Sequence, residues 1–250
     1  FAFTGNKFEF RAVGSAFSVA GPLTVLNTIM ADSLDKLADE LSAELKSTKD
    51  FNTALQKVLK EILTKHGRII FNGNGYSEEW HKEAEKRGLK NLRTTPEALP
   101  EIVAKSTIEV FERQGVLSKD ELHSREEIYT HSYVLSVKTE SKLTSDIGRT
   151  LLLPAALKFA ADLTPVADSK SGGKLRKDVL ALADELASAL DALDKAREDE
   201  KADTHSNATH ACTKVLPAML KVRAAADSLE EIVADEYWPL PSYQELLFLR

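Results

Sequence analysis

Three charged residues near the start of the chain, Lys7, Glu9 and Arg11, alternate with apolar residues. Successive side chains of a β-strand point to opposite faces, so the alternation predicts a short strand with one apolar and one charged face. A carboxylate flanked by two cations suits a divalent metal ion beside an anionic phosphate or carboxylate. The same pattern is typical of an edge strand whose charged face is only solvated, and the residue types alone leave both interpretations open.

A second set of residues with metal-binding chemistry is His205, His210 and Cys212. On a helix, His205 and Cys212 share a stripe two turns apart while His210 points elsewhere, which favours core and surface roles over a metal site. Cys212 falls within an apolar stripe, so it is predicted to be a small buried hydrophobe and not a nucleophile.

The segment Asn72-Gly-Asn-Gly75 could present backbone amides to an anion. It lacks the spacing of a nucleotide-binding loop, and we therefore predict a turn. The basic residues that follow, from Lys82 to Arg93, are interleaved with glutamates and are predicted to form a solvated helix face.

The chain has 250 residues and a formal net charge of −6 with both signs dispersed, which argues against a nucleic-acid partner or an anionic membrane surface. Its single cysteine cannot form an internal disulfide, and no apolar run approaches the roughly 20 residues of a membrane span. We therefore expect a cytoplasmic protein, with an organelle stroma or matrix left open. The chain lacks an initiating Met and begins within the charged strand, so we expect it to be a piece of a longer protein.

The first helices are predicted from apolar periodicity and capping residues. Apolar residues at helical spacing predict a long amphipathic helix from about Pro22 to Leu45. Asp50 is a good N-cap for a second helix that stops at Gly67. A third helix is expected from Ser77 to Arg87, ended by Gly88.

The middle of the chain carries two further helix starts, at Thr95-Pro96 and at the capping box Ser118-Lys-Asp-Glu121. From Ser118 to about Ala161 the pattern predicts one long helix or two in series, with a kink at Pro154. Residues 162–173 have the composition of a linker.

Two apolar stripes with heptad-like spacing follow, separated by a charged stretch from Arg197 to Thr204. They predict an antiparallel helical hairpin. Trp238-Pro-Leu-Pro-Ser-Tyr243 cannot continue a helix through two prolines, so we expect this tail to pack on the body with Trp238 and Tyr243 as anchors.

Residues Phe1 to Ser15, in which Phe-Glu-Phe-Arg is followed by Ala-Val-Gly-Ser, resemble the C-terminal catalytic strand of glutamine synthetase of the type III class. The resemblance covers nearly the whole chain. Its further segments are residues 21–28, 68–80, 94–100 and 237–243.

This resemblance implies a mainly α fold: a remnant of the catalytic strand with its packing helices, then a helical C-terminal domain with a long antiparallel hairpin. It places residues 1–93 in the catalytic domain and 94–250 in the helical domain. The implied parent activity is ATP-dependent ligation of glutamate and ammonia through γ-glutamyl phosphate, in a ring-shaped homo-oligomer that uses Mg²⁺ or Mn²⁺.

The resemblance also implies roles for the charged strand. Glu9 would be a metal ligand near the γ-phosphate, and Arg11 would hold the transferring phosphoryl group or the substrate carboxylate as a catalytic residue. Lys7 would be a weaker phosphate contact, because it cannot supply the planar fork of an arginine. The family's other metal ligands and nucleotide-binding strands have no match here, so the chain alone is expected to be inactive. The alternative function is a non-catalytic helical module for oligomerisation or interaction.

Overall fold

The computed structural model describes residues 17–199, 201–241 and 243–247, together with the backbone of two short strands, β1 (Ala2–Phe3) and β2 (Phe8–Glu9). The described part is mainly helical, as predicted. The helices are α1 (Ala20–Thr48), α2 (Phe51–His66), α3 (Glu78–Lys86), α4 (Thr95–Ala98), α5 (Lys105–Arg113), α6 (Lys119–Ile147), α7 (Leu153–Asp162), α8 (Lys170–Glu198), α9 (Thr204–His210), α10 (Leu216–Glu230) and α11 (Tyr243–Leu247).

The chain divides into two compact units. The first comprises residues 1–91 and 102–122, and the second comprises residues 92–101 and 123–250. Within the first unit, β1 and β2 pair antiparallel, with Ala2 opposite Glu9 and Phe3 opposite Phe8.

A sharp reversal joins α1 to α2. Lys49 adopts a left-handed conformation with φ of +56°, and its N–H donates to the carbonyl of Leu45 to close α1. Asp50 then accepts a 2.8 Å hydrogen bond from the N–H of Thr53 and so caps α2. The two helices pack against each other, and the predicted N-cap at Asp50 is confirmed.

The capping signals farther along the chain are also confirmed. The Ser77 hydroxyl accepts from the N–H of Trp80 at the start of α3, and Gly88 follows that helix with φ of +72°, a conformation that glycine adopts without strain. At the start of α6, the Glu121 carboxylate accepts from the backbone N–H of Ser118 while the Ser118 hydroxyl accepts from the N–H of Glu121.

Prolines interrupt both long helical runs of the second unit in the same way. Pro154 and Pro217 are the second residues of α7 and α10, and each follows a π-helical turn, at residues 148–152 and 211–215. A proline lacks an N–H, and its ring clashes with the carbonyl four residues earlier. A wider turn relieves both problems, so the predicted kink is two helices in series joined by a π turn.

The predicted hairpin forms the core of the second unit, where α8 packs along α7 and α10. The buried members of this core are Val137, Leu152, Ala156, Phe159, Ala160, Val179, Ala183, Leu186, Ala189, Leu190, Leu193, Ala211, Val215, Val222, Ala225, Ala226, Leu229 and Val233. The predicted stripe is wrong in detail, because Cys212 is half-buried and Ala211 takes the buried place. The π turn at 211–215 adds a residue to the turn and shifts the register.

The linker before α8 is shorter than predicted. Ser169 caps α8 by accepting from the N–H of Gly172, so Gly172 and Gly173 belong to the first turn of the helix. A Cβ added to Gly172 would lie 2.3 Å from the carbonyl oxygen of Val166. Both glycines therefore serve a close backbone approach and not a flexible linker.

The tail after α10 contacts the core as expected. Trp238 packs against it, and Tyr237 adds a second anchor by donating a 2.7 Å hydrogen bond to Asp162 and contacting the ring of Phe159. The side chain of Tyr243, the other predicted anchor, lies outside the described residues.

Candidate functional site

The strand predicted to carry the chemistry is present as β2, where the backbone of Glu9 pairs with Ala2 of β1. Lys7, Arg11 and the side chain of Glu9 lie outside the described residues. Elsewhere in the described part, no group of three or more histidine, cysteine, aspartate or glutamate side chains is arranged to hold a metal ion. The Glu9 carboxylate is the hard oxygen donor that a divalent cation prefers, but one such donor does not complete a site.

Among the described residues of the first unit, Asp32 on α1 is a buried carboxylate with hydrogen-bond partners on both oxygens, and it is 5% exposed. Oδ1 accepts from Nε of Arg113 at 2.7 Å and from its Nη2 at 2.6 Å, while Oδ2 accepts from Nζ of Lys36 at 2.7 Å. The hydrogen bond from Lys36, together with Arg113, holds the pKa of the Asp32 carboxyl below its ordinary value, although burial opposes this shift. With both oxygens occupied, Asp32 joins α1 to α5 and is not available as a base.

Arg87 forms a second cluster, next to the Asn72-Gly-Asn-Gly75 segment. Its guanidinium lies 5.6 Å from the ring of Trp80, which stacks on Phe71 at 4.2 Å. Its Nη1 donates to the carbonyl of Ile70 at 2.8 Å. The prediction of a solvated basic face is therefore wrong for Arg87, because the cation fastens the preceding segment to α3.

The predicted turn in that segment is confirmed. The N–H of Ser77 donates to the carbonyl of Asn74, and the N–H of Tyr76 donates to the Asn74 side chain. The Asn74 side-chain oxygen thus bonds the local backbone, as asparagine does in turns.

Asp194 of α8 is the centre of the main ionic network in the second unit. Ser145 and Arg197 donate to its Oδ1 at 2.7 and 2.9 Å, and Arg149 donates to its Oδ2 at 2.7 Å. Burial raises the pKa of Asp194, but these hydrogen bonds outweigh burial and hold it below its ordinary value. The network binds α6 and its π turn to α8.

His210 and Cys212 lie close in sequence but contact different partners. Nε2 of His210 is 2.8 Å from the carbonyl of Ala196 at the end of α8, and its Nδ1 is 3.8 Å from Asp199. Cys212 instead shares a hydrogen bond with Tyr133, and burial together with this neighbour raises the pKa of Tyr133 to about 12. The arrangement is that of packed structural side chains.

A cavity of about 350 Å³ lies beside His210. Its charged lining residues are Lys138, Lys142, Arg197 and Asp199. Because Arg197 is already paired with Asp194, its charge is largely neutralised at the cavity wall.

The polar contacts of Asp32, Arg87 and Asp194 were not predicted. The partners on other segments, such as Arg113 for Asp32, give no signal in the spacing along one helix. The partners one turn away, such as Lys36 for Asp32 and Arg197 for Asp194, do give such a signal.

Residues 54–171 match the family model of the glutamine synthetase C-terminal domain. The whole chain is 40% identical to the type-3 glutamine synthetase of Dictyostelium discoideum, of which it covers 36%. It is 34% identical to a glutamine synthetase of Butyrivibrio fibrisolvens over 99% of the present chain. It is 30% identical to a glutamine synthetase of Bacteroides fragilis over 100% of the present chain. These matches cover 37% and 36% of the two bacterial proteins.

The helical fold and the match of residues 54–171 are those of a glutamine synthetase C-terminal domain, and the whole chain is similar to about a third of the length of these glutamine synthetases. Its similarity to the type-3 protein of Dictyostelium discoideum confirms the type III resemblance of the sequence. Among the described residues, no helix is long and apolar enough to cross a membrane.

Proposed function

We propose that the chain is the C-terminal part of a glutamate–ammonia ligase that forms glutamine from glutamate, ammonia and ATP through γ-glutamyl phosphate. The observation that carries this proposal is the 40% identity to a type-3 glutamine synthetase over the whole chain. That match includes the Phe-Glu-Phe-Arg segment, part of which forms β2.

In this proposal, Glu9 binds a divalent cation, Mg²⁺ or Mn²⁺, and Arg11 neutralises negative charge on the transferring phosphoryl group or the glutamate carboxylate. A guanidinium suits this role because its planar fork donates two parallel hydrogen bonds to an oxyanion. The bound metal would stabilise the phosphate charge and orient the nucleotide. Lys7 adds a single point charge on the same strand face.

The remaining metal ligands and the nucleotide site come from the rest of the polypeptide or from a neighbouring subunit. We assign residues 1–93 to the catalytic domain and residues 94–250 to the helical domain. The parent enzyme is a cytoplasmic homo-oligomeric ring in which the α8–α10 hairpin stabilises the helical domain.

The test compares the 250-residue chain with a full-length enzyme that contains it, using the formation of γ-glutamyl hydroxamate with Mg²⁺ or Mn²⁺ and ATP. We expect metal-dependent product from the full-length enzyme and none from the chain. An inactive, correctly folded full-length enzyme would overturn the ligase proposal. Activity of the isolated chain would overturn the claim that its site is incomplete.

A further inference from the structure

The cavity of about 350 Å³ in the second unit has an apolar floor. This His210 cavity lies between α6, the end of α8 and the π turn at 211–215. Its volume is more than twice the roughly 150 Å³ of an apolar cavity that holds benzene, so it admits a small organic molecule. Its apolar lining residues are Val134, Val137, Ala196, Ala211 and Val215.

The wall of the cavity is held in place by hydrogen bonds within the protein. Nε2 of His210 lies 2.8 Å from the carbonyl oxygen of Ala196, so this nitrogen carries a proton and donates it. The side-chain amide of Asn207 donates to the carbonyls of Lys201 and Asp203, and its oxygen accepts from the N–H of Lys201. The cavity is therefore preformed, and a ligand binds without first ordering these groups.

Two charged lining residues are already paired within the protein. Arg197 donates to Asp194 at 2.9 Å. Asp199, whose carboxylate also lines the cavity, accepts from Nζ of Lys201 at 2.5 Å. Because opposite charges at such distances largely cancel for a third group, neither residue sets the sign of the charge that the cavity attracts.

Lys138 and Lys142 of α6 set that sign. They are four residues apart and lie on the same face of the helix, and both are exposed residues of the cavity lining. Val134, Val137 and Val215 are buried, so the lysines stand at the mouth of the cavity and the valines form its floor. Like charges at this spacing repel each other, and an anion between them offsets the repulsion.

A buried apolar floor beneath a cationic mouth fits an anion that carries an apolar chain. Carboxylate oxygens accept charge-assisted hydrogen bonds from ammonium groups. A short hydrocarbon chain gains free energy by leaving water for the valine side chains. An inorganic anion would use the mouth alone, and a neutral hydrocarbon would use the floor alone.

We propose that the His210 cavity binds a small organic carboxylate, with its carboxylate at Lys138 and Lys142 and its apolar chain on the valines beneath them. This inference goes beyond the proposed function and does not depend on it.

Valine methyl groups provide the measurement, because Val134, Val137 and Val215 line the cavity. A full-length enzyme that contains the chain is isotope-labelled at its valine methyl groups and titrated with sodium hexanoate, and the methyl signals are followed by NMR. We expect saturable shifts at these three valines. Val179 is 0% exposed and lies away from the cavity lining, so its signals should not move.

Two further probes separate the parts of the ligand. Acetate keeps the carboxylate without the chain, and hexylammonium keeps the chain with the opposite charge. Each should bind at least about tenfold more weakly than hexanoate. The absence of saturable shifts with hexanoate would overturn the proposal, and so would equal binding of acetate or hexylammonium.

Variants at the mouth of the cavity locate the carboxylate. Lys142→Gln should weaken hexanoate binding about threefold, and its combination with Lys138→Gln should weaken it about tenfold. Lys177→Gln is the matched control, because this exposed lysine of α8 lies outside the cavity lining; its affinity should stay within about twofold of the unmodified enzyme. All three positions are exposed, so the melting temperatures should be unchanged. Unchanged hexanoate affinity in the folded double variant would overturn the proposal.

Discussion

The hydroxyl of Ser145 donates a 2.7 Å hydrogen bond to Oδ1 of Asp194, which joins α6 to α8 immediately before the π turn at 148–152. Ser145 is 3% exposed, so its hydroxyl has little access to water. Arg149 and Arg197 bind the same carboxylate. The Asp194 carboxylate thus accepts from the buried hydroxyl of Ser145 and pairs with two arginines, next to the point where α6 passes into the π turn.

Asp194→Ala should lower the free energy of unfolding of the chain by about 2 kcal/mol, because Ser145 loses its inter-helix partner and two arginines lose a shared carboxylate. Asp191→Ala is the control: that side chain is 74% exposed and contacts Arg149 alone in this network, so the loss should stay within about 0.5 kcal/mol. Urea unfolding followed by circular dichroism measures both. Equal losses would show that the network contributes nothing beyond its exposed ion pair.

The same carboxylate predicts a pH dependence. Its pKa in the folded chain lies below the ordinary value of 3.8, so its contribution to stability is complete above that value and is lost as the pH falls through the lower folded pKa. The difference in unfolding free energy between the unmodified chain and Asp194→Asn should therefore shrink as the pH is lowered from 6 towards about 3. A difference that stays constant over this range would contradict the assignment.

Leu186→Asp tests the hairpin core. Leu186 is 0% exposed, and the change removes apolar burial and places an unpaired carboxylate in a dry interface, at a cost of about 3 kcal/mol or more. Thermal unfolding by circular dichroism and size-exclusion chromatography should show a lower melting temperature or altered assembly. The exposed Leu220→Asp variant on α10 should show neither. An unchanged Leu186→Asp protein would place that side chain in water.

Gly172→Ala should destabilise the start of α8. The added methyl group would lie 2.3 Å from the backbone oxygen of Val166, which cannot move aside as the end of a flexible side chain can. We therefore expect the free energy of unfolding to fall by about 1 to 3 kcal/mol. Gly67→Ala is the control, since its Cβ would meet nothing within 4 Å and its φ is −54°. There, stability should be unchanged or slightly higher, because alanine restricts the unfolded chain. Similar melting temperatures for the two variants would refute the close approach.

In the full-length enzyme, Glu9→Ala should abolish most glutamine formation, because a metal ligand is lost. The expected loss of transition-state stabilisation is about several kcal/mol. Arg11→Lys should also reduce turnover, since lysine cannot donate the bidentate pair. Steady-state kinetics at saturating Mg²⁺, glutamate and ATP measure both, with circular dichroism to check folding. Near-normal turnover of the Glu9→Ala enzyme would remove Glu9 from the metal site.

Capping residues along the chain predicted several helix boundaries, because a cap depends only on hydrogen bonds among residues a few positions apart. Asp50 and the Ser118–Glu121 pair satisfy the backbone groups of their own helices, wherever the rest of the chain lies. The family was likewise evident from contiguous segments such as Phe-Glu-Phe-Arg. The chemical roles of Lys7, Glu9 and Arg11 stay predictions, and so does the domain boundary at residue 93.

The tertiary structure decided which of these faces and side chains are buried. The heptad pattern identified the α8–α10 hairpin, but it placed Cys212 in the core where the structure buries Ala211. The π turn at 211–215 causes this difference, and whether a helix forms such a turn depends on Pro217 and on packing. The periodicity of α1 likewise predicted an amphipathic helix without showing that Thr28 and Asp32 would be its buried residues. That choice depends on Asp32 meeting Arg113, 81 residues farther along, because a buried carboxylate is stable only where the fold brings a cation to it.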